Sequence, residues 1–337
     1  MASKLSDHAA DADIPQLARL TQVPEAERFL NAALATRSPA DLAEPGWTAS
    51  AGPLTVGAVT LLRGHAGSRW TLRYAVRQAG EERTLIAKVY ASDRGDVADL
   101  LSALRGRGLG FGQPMQVPAP VAYVPELRLL LLEAASGEAA RAALRRGDTG
   151  TLERTARWLA AFHAAAPLPA TSRPRDLPGK ARRWARALGE NAPALAKAAR
   201  RLSAALAERH PGESPRPYLI HGDFSVSHVY VAQRTTTVID WDSWGVGDCA
   251  EDAGRFLASL HHLAARHPAR HAMVAATFAR AYLVAVPAAR ENLAFYEALS
   301  CLRTAARLTA GRVPHRVGYA QTLLAHGARA LSADYPD

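Results

Sequence analysis

The sequence predicts an α+β chain of two lobes, β-rich at the N-terminus and mainly helical at the C-terminus. Three observations carry this. Short β-rich runs separated by glycine-containing breaks fill the stretch from Leu54 to Tyr90. After Ser136-Gly137-Glu138 the apolar residues recur at helical spacing. At 337 residues, 48% hydrophobic and 21% charged, the chain is long enough for two cores, since one domain takes roughly 100–200 residues.

The first 24 residues lack periodicity and are expected to form a loose arm. The N-terminal lobe is placed at residues 25–133, and the helical lobe at residues 134–337. A short helical pattern starts at Pro24-Glu25-Ala26 and ends near Pro39. The strands follow: Leu54–Val56, Val59–Leu62, Trp70–Val76 and Leu85–Tyr90. Asp96 to Leu104 reads as a helix and Gly106 to Gly112 as a loop. Val117–Tyr123 and Leu127–Leu132 are two further strands joined by the turn signal Pro125-Glu126. In the second lobe, Leu152, Leu159 and Phe162 share one face of a helix over Thr151–Ala166. Pro167, Pro169 and Pro174 break it, and Arg-rich helices run on to His210. A β interlude, Tyr218 to Trp241, precedes helices that continue almost to the end.

Lys and Arg outnumber Asp and Glu by 41 to 31, a formal charge of +10. That balance favours anionic ligands. The arginines are scattered along helices without a nucleic-acid-binding motif, so a nucleic-acid partner is not expected. Two cysteines, Cys249 and Cys301, cannot build a disulfide framework. The N-terminus carries charges and no apolar core of a signal peptide, and the apolar stretch Ala272–Ala289 is interrupted by Arg280 and Pro287. A cytoplasmic protein with no membrane partner, either monomer or homodimer, is the expectation.

The chemistry-bearing stretch is Tyr218-Leu-Ile-His-Gly-Asp-Phe-Ser-Val-Ser-His-Val-Tyr-Val231, followed by Val238-Ile239-Asp240-Trp241-Asp242. Each half puts a carboxylate at the end of an apolar strand, Asp223 in the first and Asp240 in the second. Two carboxylates delivered from neighbouring strand ends suit proton acceptance at one and divalent-cation binding at the other.

These blocks resemble the aminoglycoside phosphotransferase and choline kinase family, small-molecule relatives of protein kinases. The resemblance spans roughly residues 55–310 and rests most firmly on His221 to Asp252. It implies a two-lobed protein-kinase-like fold, ATP or another nucleoside triphosphate, Mg²⁺ or Mn²⁺, and transfer of the γ-phosphate to a hydroxyl. By resemblance Asp223 is the catalytic base and Asp240 a metal ligand. Gly247-Asp248 and Asp252 match supporting positions, and His163, in Leu159-Ala-Ala-Phe-His163, a packing and hydrogen-bonding residue. Lys88, in Leu-Ile-Ala-Lys-Val-Tyr, matches the strand lysine that binds the α- and β-phosphates. Arg63 to Arg69, which includes Ser68, is positioned like a nucleotide-covering loop. It lacks the GxGxxG pattern, and a hairpin turn explains it equally well. Leu130 to Ala135 resembles the hinge, with Glu133 and Ala135 as the adenine-holding positions.

Two departures stand out. His228 occupies the place of the metal-binding Asn. Nitrogen suits softer metals than Mg²⁺, so His228 binds a metal such as Mn²⁺, or water and phosphate oxygens take its place, or the site is impaired. No Glu follows Lys88 to pair with it. Only Asp96 and Asp99 stand nearby, with Asp99 favoured. His261, His262, His267 and His271 are read as a solvated helix face, since no third ligand accompanies the His267/His271 spacing.

From Arg255 onward there are ten arginines and four acids, Glu291, Glu297, Asp334 and Asp337. A polycationic aminoglycoside needs carboxylates that this region lacks. The expected acceptor is therefore a sugar, nucleoside or other metabolite. The alternative is a pseudokinase-like regulatory module that binds nucleotide without turnover.

Overall fold

Alternation sets the N-terminal sheet. In Arg69–Gln78 every second residue is buried, namely Trp70, Leu72, Tyr74, Val76 and Gln78, while Arg73, Ala75 and Arg77 face solvent. Fully burying each large apolar side chain contributes about 1.5–3 kcal/mol, so a one-residue slip of register would forfeit most of the core. A computed structural model describes residues 11–35, 52–166, 176–212, 216–268, 273–311 and 315–332. The chain divides into two compact units between residues 136 and 137, three residues after the boundary expected from the sequence.

Unit 1 holds α1 (Leu17–Leu20), α2 (Val23–Ala35), β1 (Thr55–His65), β2 (Arg69–Gln78), β3 (Glu81–Tyr90), α3 (Gly95–Leu104), β4 (Met115–Gln116), β5 (Pro120–Val124) and β6 (Leu129–Glu133). Five strands form an antiparallel sheet in the order β1-β2-β3-β6-β5. The β2–β3 turn is the pair Ala79-Gly80, with φ of 51° and 83°, the doubly left-handed backbone that two-residue hairpins use. Strand β6, between β3 and β5, reads Leu-Leu-Leu-Leu-Glu, and all four leucines are buried.

The arm expected over residues 1–24 is not loose where it is described. Ile14, Leu17 and Leu20 lie in the sheet core. The Gln16 amide donates to the Tyr90 and Leu127 carbonyls at 3.2 and 3.0 Å. The Asp11 carboxylate accepts from the Trp70 indole at 2.7 Å and the Gly67 N–H at 3.0 Å. Isolated apolar residues at 14, 17 and 20 are too few to show a period, yet enough to seal one face of a sheet. Residues 1–10 and the expected helix end near Pro39 lie outside the described residues.

Unit 2 holds β7 (Glu138–Ala139), α4 (Ala140–Arg145), α5 (Gly150–Ala165), α6 (Leu177–Asn191), α7 (Ala196–Glu208), β8 (Tyr218–Ile220), β9 (Val229–Val231), β10 (Thr236–Val238), β11 (Gly245–Gly247), α8 (Cys249–Arg266), α9 (Val274–Ala285), α10 (Arg290–Ala310) and α11 (Arg316–Ser332). Its strands are short, with β9 pairing with β10 and β7, and β11 with β8, all antiparallel. The breaking prolines 167, 169 and 174 lie outside the described residues. Among the described residues no helix is long and apolar enough to cross a membrane. Cys249 and Cys301 are free and buried.

The histidine face of α8 corrects its sequence reading. His261 Nε2 meets Glu297 Oε1 at 2.5 Å, and its ring stacks on His326 with centroids 4.0 Å apart. Burial pulls the His262 imidazole down to about 4, with Arg266 and Arg141 adding to the effect. Helices α10 and α11 cover this face, which periodicity within α8 could not reveal. His267 is exposed, and His271 lies outside the described residues.

Candidate active site

Strand pairing builds the site. In the β9–β10 hairpin Val229 stands opposite Val238, and the Ile239 N–H donates to the His228 carbonyl at 2.8 Å. That register sets His228, just before β9, beside Asp240, just beyond β10. Asp240 itself is left-handed, with φ 69° and ψ 57°, a conformation that is costly outside glycine and is retained where a side chain must be aimed.

Asp223 sits on the loop between β8 and β9, entered through Gly222. Gly222 has φ +76°, and a Cβ there would fall 2.0 Å from the Ser243 carbonyl oxygen, so no other residue fits. The turn is held from beneath by Asp252 of α8, whose carboxylate accepts the His221 and Gly222 N–H groups at 2.7 and 2.9 Å. Burial pushes the Asp252 carboxyl up, but the His163 contact, with the His221 backbone N–H, outweighs it and holds the carboxyl below its ordinary range. His163 Nε2 is 3.5 Å from Asp252, and its Nδ1 is 2.9 Å from the Tyr282 hydroxyl. His221 is wholly buried and held below its ordinary pKa, chiefly by desolvation. It is therefore neutral. Its Nδ1 accepts the Asp223 N–H at 3.1 Å, so its Nε2–H donates to the Ile239 carbonyl at 3.0 Å. Asp248 caps α8 by accepting the Ala250 N–H at 2.8 Å, and accepts from Asn292 at 2.7 Å. Behind the loop Trp158 stacks on Phe224, and Phe162 and His221 pack on Trp241.

These supports bring Asp223, His228 and Asp240 together, with one ligand atom from each within 4.8 Å of the others. His228 donates Nδ1–H to the Asp223 carbonyl at 2.7 Å. That bond leaves Nε2 to face Asp240 Oδ2 at 3.4 Å, so the imidazole lone pair and the carboxylates share one space. Two carboxylates and one imidazole fit a divalent cation, with the nitrogen tilting preference toward Mn²⁺.

The other face of Asp223 carries a feature that sequence reasoning missed. Its Oδ1 meets Arg303 Nη1 at 3.2 Å, Arg255 Nη1 at 3.3 Å and Arg307 Nη1 at 4.0 Å. Arg303 and Arg307 stand i,i+4 on α10 among the buried Leu302, Ala305, Ala306 and Leu308. Like charges at that helical spacing, flanked by core positions, were the available signal.

In unit 1, Lys88 is buried on β3, opposite Thr71 on β2 and Leu130 on β6. Asp96 is forked by Arg94 at 2.8 and 3.1 Å, and Asp99 is exposed on α3. The span Arg63–Arg69 is a tight hairpin between β1 and β2. Ser68 donates its N–H to His65 and accepts from Ala91 at its carbonyl, both at 2.9 Å, so only its exposed hydroxyl remains to carry a phosphate contact. At the end of β6 the Glu133 N–H donates to Ala119 and the Ala134 N–H to Thr84, at 2.9 and 3.3 Å. Neither bond involves the half-buried Ala135.

The family model described as the phosphotransferase enzyme family matches residues 62–296, well over half of the chain. The chain belongs to that family. Its fold is the two-lobed, protein-kinase-like α+β fold, with a β-rich N-terminal region and a helical C-terminal one. A choline kinase from Cryptosporidium parvum Iowa II superposes with a TM-score of 0.56 at 12% identity, covering 91% of this chain and 95% of that one. A spectinomycin phosphotransferase, solved with ADP and spectinomycin, gives 0.58 at 11% identity, covering 83% and 94%. An aminoglycoside phosphotransferase gives 0.55 at 14% identity, covering 84% and 95%. No curated protein matches the chain. At these identities the neighbours share the fold, while the acceptor is a matter for this chain's own residues.

Proposed function

We propose that this phosphotransferase moves the γ-phosphate of ATP to a hydroxyl of a small molecule, a sugar, nucleoside or other metabolite in preference to an aminoglycoside. The observation that carries the reading is the convergence of Asp223, His228 and Asp240 within 4.8 Å. Asp223 accepts the proton of the attacking hydroxyl. The acceptor oxygen bonds to the γ-phosphorus, the bond from phosphorus to the β–γ bridging oxygen breaks, and ADP leaves with that electron pair. Asp240 and His228 hold the divalent cation, which supplies charge neutralisation at the phosphates when bound. Lys88 serves the α- and β-phosphates, the Ser68 hydroxyl covers them, and the hinge around Glu133 and Ala135 holds the base. Because the Glu133 N–H is spent on Ala119, the hinge donor in this reading is Ala135.

The test is metal-dependent ADP release from purified protein, expected to vanish in Asp223→Asn. Unchanged release in that variant assigns the signal to contamination and defeats the reading. A nucleotide-binding module without turnover is the second reading, favoured by His228 in the place of the metal-binding Asn. Nucleotide binding with no phosphoryl transfer to any acceptor would select it.

A further inference from the structure

The three arginines on Asp223 mark the acceptor's chemical class. We propose that Arg255, Arg303 and Arg307 form an oxyanion pocket, so that the acceptor carries a carboxylate or phosphate beside the hydroxyl to be phosphorylated. This rests on the reading of Asp223 as the base.

The two oxygens of Asp223 face different chemistry. Oδ2 lies 3.7 Å from His228 Nδ1, on the side of Asp240 and the cation. Oδ1 is met by the arginines, two of them on α10 and one on α8. With phosphates and metal on the Oδ2 side, the Oδ1 side is where an acceptor approaches the base.

The carboxylate of Asp223 is a poor final partner for these groups. A guanidinium that exists to grip a carboxylate does so through two short parallel bonds of ~2.8 Å. Here the contacts run from Nη1 of each arginine to one oxygen, at 3.2 to 4.0 Å. Three guanidiniums from two helices converge on one oxygen of a single carboxylate. Arg255 and Arg303 are largely buried, with side chains 13% and 21% exposed, so solvent screens them little. A bound oxyanion takes over these guanidiniums and frees Oδ1 to take the hydroxyl proton. A cationic acceptor is repelled by the same groups.

The experiment measures calorimetric binding to the full chain, saturated with AMP-PNP and Mn²⁺, of four probes that share a hydroxyl. Glycerate carries a carboxylate, glycerol 3-phosphate a phosphate, glycerol no charge, and ethanolamine a positive charge. One or both anions should bind at least about tenfold more tightly than glycerol, with ethanolamine weakest, and whichever anion binds better identifies the group. Arg307→Gln, at a half-exposed position, and Arg303→Gln should each weaken anion binding about tenfold and leave AMP-PNP binding unchanged. Asp223→Asn, which removes the internal competitor, should tighten anion binding. Circular dichroism verifies that each variant is folded, and Arg303→Lys substitutes if Arg303→Gln is not. Equal binding of anions and glycerol overturns the proposal. So does a loss of AMP-PNP binding in the arginine variants without loss of anion binding, which would put the guanidiniums on the nucleotide. If AMP-PNP itself does not bind, the phosphotransferase reading fails separately, and the same probes without nucleotide still decide the pocket.

Discussion

His228 turns Nε2 toward Asp240 Oδ2, 3.4 Å away, because its other ring nitrogen is committed to the Asp223 carbonyl at 2.7 Å. One imidazole thus ties the candidate base to the candidate metal ligand. A side-chain amide could make the same backbone bond and offer oxygen to the cation instead.

His228→Asn should therefore change the metal preference. ADP release by the wild type is expected to favour Mn²⁺ over Mg²⁺ by several-fold, and the variant to lose or reverse that preference. Rates measured with both metals for both proteins check this. An identical ratio in the two would remove His228 from the metal shell.

Gly222→Ala should abolish activity and destabilise unit 2 by at least about 2 kcal/mol. The cause is the Cβ placed 2.0 Å from the Ser243 carbonyl oxygen, on a backbone at φ +76°. Denaturant unfolding and ADP release measure both effects. Gly245→Ala, with open space around its Cβ, is the control expected to retain stability.

Asp252→Asn should cost about 2–4 kcal/mol by weakening the charge-assisted bonds to the His221 and Gly222 N–H groups. The folded carboxyl lies below its ordinary pKa, so its stabilisation is present above the unfolded value. It is lost as pH falls from about 5 through the folded one. Urea midpoints between neutral and acid pH should show a smaller acid-side loss in the variant than in the wild type. Parallel curves would mean the charge of Asp252 contributes nothing.

The half-buried imidazoles of α8 and α11 give a second acid sensitivity in a higher window. His262 and His326 are each pulled to about 4, chiefly by desolvation. A histidine neutral when folded binds its proton more readily when unfolded. Its effect is therefore absent above about 6.5 and destabilising as pH falls from there through 4. His262→Gln should flatten thermal stability between pH 6.5 and 4, and an unchanged slope would rule this histidine out as the source.

The positions of the N-terminal strands along the chain were legible because strand alternation is local. Trp70, Leu72, Tyr74 and Val76 announce their inward face in the sequence itself. Ile14, Leu17 and Leu20 do not, because what covers a sheet is visible only once the sheet exists. The histidines of α8 were misread for the same reason, since Glu297 and His326 reach them from other helices.

The site divides along the same line. Asp223 and Asp240 were legible as carboxylates at strand ends, while His228 was legible only through its match to the metal-binding Asn of the family that the sequence resembles. Sequence thus determined the strand-borne carboxylates, the glycine just before the first of them and the overall positive balance of the C-terminal region. Tertiary structure alone decided where that balance acts. Arg255, Arg303 and Arg307 belong to two separate helices, and only their packing turns scattered charges into a cluster on one oxygen of Asp223. Coulomb forces depend on distance in space, and distance along the chain does not encode it.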